Sequence, residues 1–127
     1  MIVADASVVV AALVGRGLAR EIVERTQVHA PHLIDSEVAH VLRRRLHLGV
    51  IDAATGWNLL NTFRWLAIAR HGTFAMLDRV WELRDNLTAY DAAYVALAEA
   101  IDCPLVTADA RISRAPGLRC LVTVVPG

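Results

Sequence analysis

Apolar residues in this chain occur in short continuous runs and at helically spaced positions, and the two patterns alternate. Short apolar runs bounded by polar or turn residues predict buried strands, whereas apolar positions three or four residues apart predict helices. The predicted strands are Met1–Ala4, Val28–Ala30, Trp65–Ala69, Leu105–Val106 and Leu121–Val125. The predicted helices are Ala6–Val14, Leu18–Thr26, Leu33–His47, a helix capped by Asp52 that runs to about Arg64, Thr73 to about Asp85, and a helix from Thr88 that ends before Pro104.

The order of these elements indicates the fold class. Strands that alternate with helices predict a short central parallel sheet covered by helices on both faces, which is an α/β fold. The sequence shows no internal repeat, low-complexity tract or linker. A single domain over residues 1–127 is therefore predicted.

The segment from Thr88 to Asp109 places two acidic residues around one helix and one strand. Thr88 is a suitable N-cap, and Asp91 follows in the first turn, where a carboxylate faces the positive end of the helix dipole. Pro104 ends the helical pattern, and Asp109 follows the apolar run Leu105–Val106. Because helix starts and strand ends meet at one edge of an open α/β sheet, we expect Asp91 and Asp109 to lie close together.

Four carboxylates share this kind of position and lie among apolar or small neighbours rather than in charged runs. They are Asp5 after the first strand, Glu37 early in a helix, Asp91 and Asp109. Taken singly, each acid is explained as well by a structural role, as a helix cap or a paired surface acid, as by a functional role. Together at one sheet edge they would repel unless a cation or a shared proton lay between them. A site of carboxylate oxygens without His or Cys suits Mg²⁺ or Mn²⁺.

Composition excludes several other chemistries. All thirteen basic residues are arginine, so the chain lacks the lysine needed by a P-loop, a Schiff base or a kinase site. Basic and acidic residues balance, so any polyanion must bind a local patch. Hydrophobic residues make up 56% of the chain and the mean hydropathy is +0.44, which suggests apolar surface reserved for a partner.

The cysteines and the amino terminus bear on the compartment. Cys103 and Cys120 form no C-x-x-C motif and are expected to be buried thiols in a reducing compartment. Asp5 interrupts the apolar run at the amino terminus, which argues against a signal peptide. No stretch is long enough to span a bilayer. We therefore expect a cytoplasmic protein without a membrane partner.

Three other kinds of site were considered. Glu37 and His40 form an E-x-x-H, but a di-iron site needs a second copy on another helix, and the sequence has none. Asp5 and Ser7 resemble the start of a haloacid-dehalogenase motif, which requires aspartate in place of Ser7. Ser7 and Ser36 lack the G-x-S-x-G context of a serine hydrolase.

The run Arg43, Arg44 and Arg45 has two interpretations of equal weight. It is either a phosphate-binding patch that leads away from Glu37, or a solvated helix end where cations favour the dipole.

The acidic residues and their surroundings resemble the PIN-domain ribonucleases, and more closely the VapC toxins of bacterial VapBC toxin–antitoxin pairs. The likeness extends over the whole chain. It rests on the phrases Val3-Ala4-Asp5-Ala6-Ser7, Ser36-Glu37-Val38, Tyr90-Asp91-Ala92-Ala93-Tyr94-Val95-Ala96-Leu97-Ala98 and Leu105-Val106-Thr107-Ala108-Asp109.

This resemblance implies a Rossmann-like three-layer α/β/α fold and Mg²⁺-dependent cleavage of single-stranded RNA. Asp5, Asp91 and Asp109 match the family's metal-binding acids, and Glu37 matches the fourth, which often acts through water. Ser7 and Thr107 match polar residues that orient the acids. Some relatives carry another acid just after the last aspartate, where this chain has Arg111, so a complete second metal site is not implied.

The resemblance also implies partners. A VapC toxin is inhibited by a cognate VapB antitoxin, and we expect a homodimer that binds such an antitoxin. Five aromatic residues are concentrated in the middle third of the chain, and most are expected in the core, with one or two on a dimer or antitoxin surface: Trp57, Phe63, Trp65, Phe74 and Trp81. The alternative function is a PIN-fold module that binds RNA or protein without cutting.

Overall fold

The computed structural model describes residues 1–127. Its strands are β1 (Ile2–Ala4), β2 (Val28–Pro31), β3 (Ile68–His71), β4 (Leu105–Thr107) and β5 (Val122–Val124). Its helices are α1 (Ala6–Val14), α2 (Leu18–Arg25), α3 (Ile34–His47), α4 (Ala53–Arg64), α5 (Leu77–Glu82), α6 (Ala89–Ala100) and α7 (Ala110–Ser113), with a 3₁₀ turn over Phe74–Met76 before α5.

The five strands form one sheet in the order β3-β2-β1-β4-β5, and every neighbouring pair is parallel. The chain builds outward from β1 in one direction and then crosses to the other side of β1 to add β4 and β5. This reversal between β1 and β4 is the place where ligands bind in open α/β sheets. Asp5 and Asp109, which follow these two strands, therefore lie at that edge.

Helices cover both faces of the sheet, as the α/β prediction required. Helices α1 to α4 pack against one another on one face, whereas α5 and α6 pack together on the other. The result is the three-layer α/β/α arrangement. None of the helices is long and apolar enough to cross a membrane.

The buried core follows from the composition of α1 and α6. Both helices are rich in alanine and valine, and every residue of α6 from Ala92 to Ala98 is buried. Small side chains let the helix backbone approach the sheet closely, so α6 is packed over most of its surface. The caps predicted for two helices are also present: Thr88 accepts from the Asp91 N–H, and Asp52 accepts from the Thr55 N–H.

Two predictions about elements were wrong, and one helix was not predicted. The third strand is Ile68–His71 rather than Trp65–Ala69, because residues after the α4 cap form a turn before pairing with β2 begins. The predicted helix from Thr73 to Asp85 is a 3₁₀ turn followed by the short α5. Helix α7 was not predicted, since four residues are too few to show a helical period.

The aromatic residues of the middle third are mostly on the surface, contrary to the prediction. Phe63 is buried, but Trp57, Trp65, Phe74 and Trp81 are exposed, with Phe74 reaching 89%. The core consists mainly of aliphatic side chains, and these four rings lie outside it. Both cysteines are free thiols as expected, with Cys103 buried and Cys120 only partly so.

Candidate active site

Asp5 lies at the junction of β1 and α1 and caps that helix. Its Oδ1 accepts from the Val8 N–H at 3.2 Å and from the Ser7 hydroxyl, while Oδ2 accepts from the Thr107 hydroxyl. The residue is only 8% exposed. Burial raises the pKa of Asp5, whereas these hydrogen bonds lower it and the nearby Asp91 raises it further. The protein thus holds a buried carboxylate in one fixed orientation.

Ser7 and Thr107 connect Asp5 to the end of β4. The Ser7 hydroxyl accepts from the Ala108 N–H at 2.9 Å, and the Thr107 hydroxyl accepts from the Asp109 N–H at 2.9 Å. Each hydroxyl therefore donates to Asp5 and accepts from the backbone that carries Asp109. The supporting role predicted for Ser7 and Thr107 agrees with this geometry.

Asp109 caps α7 and is bound by Arg111. The Arg111 guanidinium approaches both carboxylate oxygens, with Nε 3.0 Å from Oδ1 and Nη2 2.7 Å from Oδ2. The Arg111 N–H also donates to Oδ1 at 2.9 Å. Arg111 holds the pKa of Asp109 below its usual range, so this carboxylate is ionised at neutral pH.

Asp91 and Glu37 complete the group from two other helices. Asp91 lies in the first turn of α6 and Glu37 in the first turn of α3. Glu37 Oε1 and the Tyr94 hydroxyl are both buried and have no hydrogen-bond partner. The hydroxyl is still close enough to lower the pKa of Glu37, so the two groups are neighbours that are not aligned as a hydrogen bond.

The four carboxylates influence one another electrostatically. Burial raises the pKa of Glu37, and the charges of Asp91 and Asp5 raise it further. Burial likewise raises the pKa of Asp91, and the Asp109 charge adds to that effect. Asp5, Glu37 and Asp91 therefore lie near enough to interact, and Asp109 lies near enough to affect Asp91.

The donor chemistry of this region fits a hard divalent cation, because every candidate ligand is a carboxylate oxygen. Repulsion among Asp5, Glu37 and Asp91 would be relieved by a cation, and Glu37 Oε1 has no protein donor. In this conformation, however, no three Asp, Glu, His or Cys side chains are grouped closely enough to hold a metal ion. Arg111 covers both oxygens of Asp109, so a cation at that residue would require the guanidinium to move.

The arginine run lies further along α3. Arg43 and Arg44 are exposed, Arg45 is partly buried, and none of them forms an ion pair. Arg44 is seven residues after Glu37, so it projects from the same side of the helix roughly 10 Å further along the axis. The geometry is compatible with both interpretations of this run.

Sequence reasoning missed two participants. Tyr94 was named only as part of the phrase that carries the family resemblance, although it lies one turn after Asp91 and its hydroxyl neighbours Glu37. Arg111 was noted only as a departure from the acids of relatives. A cation two residues after a helix-capping aspartate was the available signal, because it can reach that carboxylate locally.

Comparison with known proteins gives consistent matches. A family model described as PIN domain matches residues 2–118. Ribonuclease VapC9 of Mycobacterium tuberculosis is 49% identical over 126 residues, covering 99% of each chain.

Two solved structures share the fold. One is PAE2754 from Pyrobaculum aerophilum, with a TM-score of 0.72 at 22% identity, covering 95% of this chain and 81% of that one. The other is VapBC2 from Rickettsia felis bound to a DNA fragment from its promoter, with a TM-score of 0.67 at 14% identity and 98% of both chains covered. At these identities the two structures support the fold alone.

Proposed function

The chain belongs to the PIN-domain family, in its VapC branch, and we propose that it is a Mg²⁺-dependent endoribonuclease that cleaves single-stranded or loop RNA as the toxin of a VapBC pair. The observation that carries this proposal is that Ser7 and Thr107 hydrogen-bond Asp5 to the backbone at Asp109, with Asp91 near enough to raise the pKa of Asp5 and of Glu37. The ribonuclease name of a relative at 49% identity supports the reaction class.

In this proposal Asp5, Asp91 and Asp109 hold Mg²⁺, with Mn²⁺ as a substitute, and Glu37 contributes directly or through water. A bound Mg²⁺ would supply charge neutralisation at the phosphodiester and a lowered pKa of water.

The protein's own contribution is to fix the ligands in place. Ser7 and Thr107 donate hydrogen bonds to the two oxygens of Asp5, so this carboxylate would need little rearrangement to bind a cation. Asp91 lies at the positive end of the twelve-residue α6, and that position partly offsets the burial that raises its pKa.

Glu37 is placed to position a water molecule. Its Oε1 is buried at the site and takes no hydrogen bond from the protein. A water bound there would donate to Oε1 and be oriented towards the phosphorus atom of the substrate. Arg43, Arg44 and Arg45 would bind flanking phosphates of the RNA, since they are not paired with acids.

The proposed partners are a cognate VapB-type antitoxin and a second copy of this chain. Large apolar side chains are exposed at Phe74, Leu77 and Trp81, spaced so that they share one side of α5 and the turn before it. Aromatic residues are enriched at protein interfaces, which supports a protein partner. An antitoxin arginine could reach the acids as Arg111 reaches Asp109 in the chain itself. A monomeric elution profile at micromolar concentration would contradict the homodimer.

Expression of the protein in cells, followed by mapping of new RNA 5′ ends, tests the proposed activity. We expect discrete cleavage sites that are absent when Asp5→Asn is expressed to the same level. Identical 5′ ends with both proteins would refute the nuclease proposal. RNA that copurifies uncut with the wild type would instead indicate the non-catalytic module.

A further inference from the structure

Arg111 is the only basic side chain that pairs with any of the four acids. It contacts Asp109 through both Nε and Nη2, so the two oxygens of that carboxylate are covered by one guanidinium. Its charge also acts on Asp91, where it partly opposes the rise in pKa that burial causes. A positive group therefore already lies where the acidic cluster would receive a cation.

The contacts of Arg111 and those of a divalent cation are mutually exclusive at Asp109. Mg²⁺ binds carboxylate oxygens at about 2.0–2.1 Å and demands near-octahedral geometry. A forked guanidinium on the same two oxygens occupies the directions from which such an ion would approach.

The pair is also easily broken. The Arg111 side chain is 82% exposed, against 28% for Asp109, and it contacts no other acid directly. Exposed ion pairs alter an equilibrium by at most about fivefold, so a divalent cation can displace the guanidinium. The released side chain would stay beside the site, because α7 anchors its backbone.

We propose that Arg111 is an internal counter-ion that occupies the cation side of Asp109 in the metal-free protein and is displaced when a divalent cation binds. The proposal rests on the metal site described under Proposed function. Arg111 thereby limits repulsion among the acids in the empty site and weakens the affinity for the metal. It is a positioning residue that acts through Asp109.

Calorimetric titration of Mn²⁺ into the RNA-free protein tests the proposal without measuring activity. Arg111→Gln removes the charge and keeps much of the length, whereas Arg111→Lys keeps the charge and loses the fork. Arg16→Ala is the matched control, because Arg16 is exposed, unpaired and located beyond the opposite end of α1 from Asp5. Asp91→Asn removes a ligand of the proposed metal site.

We expect Arg111→Gln to bind Mn²⁺ roughly three to ten times more tightly than the wild type, through loss of the pair and of a nearby positive charge. The Mn²⁺ affinity of Arg111→Lys should lie between those of the wild type and Arg111→Gln, and the affinity of Arg16→Ala should match the wild type. The metal-free melting temperature of Arg111→Gln should fall, and added Mn²⁺ should raise it by more than in the wild type.

The outcomes separate this inference from the proposed function. Binding that depends on Asp91 but is equal or weaker in Arg111→Gln would overturn the counter-ion and leave the metal site standing. Absence of Mn²⁺ binding in every variant at millimolar concentration would overturn both.

Discussion

Asp5 and Asp109 each follow a strand of the parallel sheet and each cap the helix that comes next, yet their carboxylates differ in burial, partners and charge. Asp5 is 8% exposed, takes only neutral donors and has a raised pKa, since burial outweighs its hydrogen bonds. Asp109 is more exposed, is paired with Arg111 and has a lowered pKa. The same strand-to-helix position thus holds a buried carboxylate bound by neutral donors in one case and a carboxylate paired with an exposed arginine in the other.

This difference shows two ways in which the metal-free protein accommodates neighbouring carboxylates. The buried side of the cluster is fixed by hydroxyl and backbone donors, so its geometry does not depend on charge balance. The exposed side is balanced by the exposed Arg111 guanidinium, which we propose a divalent cation displaces. Each of the following experiments tests one side of this comparison against the other.

Removal of the carboxylates should give the largest contrast in stability. Asp5→Ala loses a helix cap and leaves the buried Thr107 hydroxyl without its acceptor, so we expect a loss of about 2–3 kcal/mol in the free energy of unfolding. Asp109→Ala removes an exposed pair and the cap of a four-residue helix, and should cost less than about 1 kcal/mol. Urea unfolding of both variants measures the difference, and equal losses would contradict the comparison.

Thr107 joins the two aspartates, so its hydroxyl should matter to both. Thr107→Val keeps the shape but leaves Asp5 Oδ2 and the Asp109 N–H without their shared partner. We expect a loss of about 1–2 kcal/mol in unfolding free energy, together with slower RNA cleavage. Thr107→Ser retains the hydroxyl and is the control. A Thr107→Val protein with unchanged stability would show that the link is dispensable.

The pH dependence of stability should separate the raised from the lowered pKa values. The folded-state pKa values of three acids are raised: Asp5, Glu37 and Asp91. The free energy of unfolding of the metal-free protein should therefore fall as pH rises from about 4 through those values. Asp109 has the opposite sign: its contribution is present above about pH 4 and is lost as pH falls through its lowered pKa.

Asp5→Asn tests the sign for the buried acid. The amide oxygen can keep the Ser7 and Val8 donors while the charge that burial disfavours is gone. At neutral pH in EDTA we expect a melting temperature about 2–4 °C above the wild type, with a smaller decline as pH rises. A clearly lower midpoint would mean that the hydrogen bonds outweigh burial at Asp5.

The smallest effect concerns the arginine run, which lies away from both aspartates. If Arg43, Arg44 and Arg45 bind phosphates, changing all three to Ala should weaken RNA binding and flatten its salt dependence by about 0.7 in log–log slope per lost contact. Protein stability should stay within about 0.5 kcal/mol of the wild type. Unchanged binding across several salt concentrations would leave only the solvated helix end.

Much of this arrangement was accessible from the sequence, because the relevant signals are local. Short apolar runs gave the parallel sheet, and Thr88 and Asp52 were correctly predicted as helix caps from their position before helical periods. The sheet topology then placed the four acids at one edge, since each follows a strand or begins a helix there.

The features that sequence reasoning missed depend on three-dimensional packing. Trp57, Trp65 and Trp81 lie outside the core, and whether a ring is covered depends on how the elements pack, which no local pattern reveals. The shift of β3 to Ile68–His71 depends on pairing with β2. The ion pair between Arg111 and Asp109 depends on α7, which is too short to predict from periodicity.

The most direct test of the central claim is cleavage of single-stranded RNA by the purified protein as Mg²⁺ is varied. The account predicts cleavage that rises with Mg²⁺ or Mn²⁺, stops in excess EDTA, and falls by at least about a hundredfold in Asp5→Asn and Asp91→Asn. Full cleavage in excess EDTA, or activity retained by both variants, would contradict it.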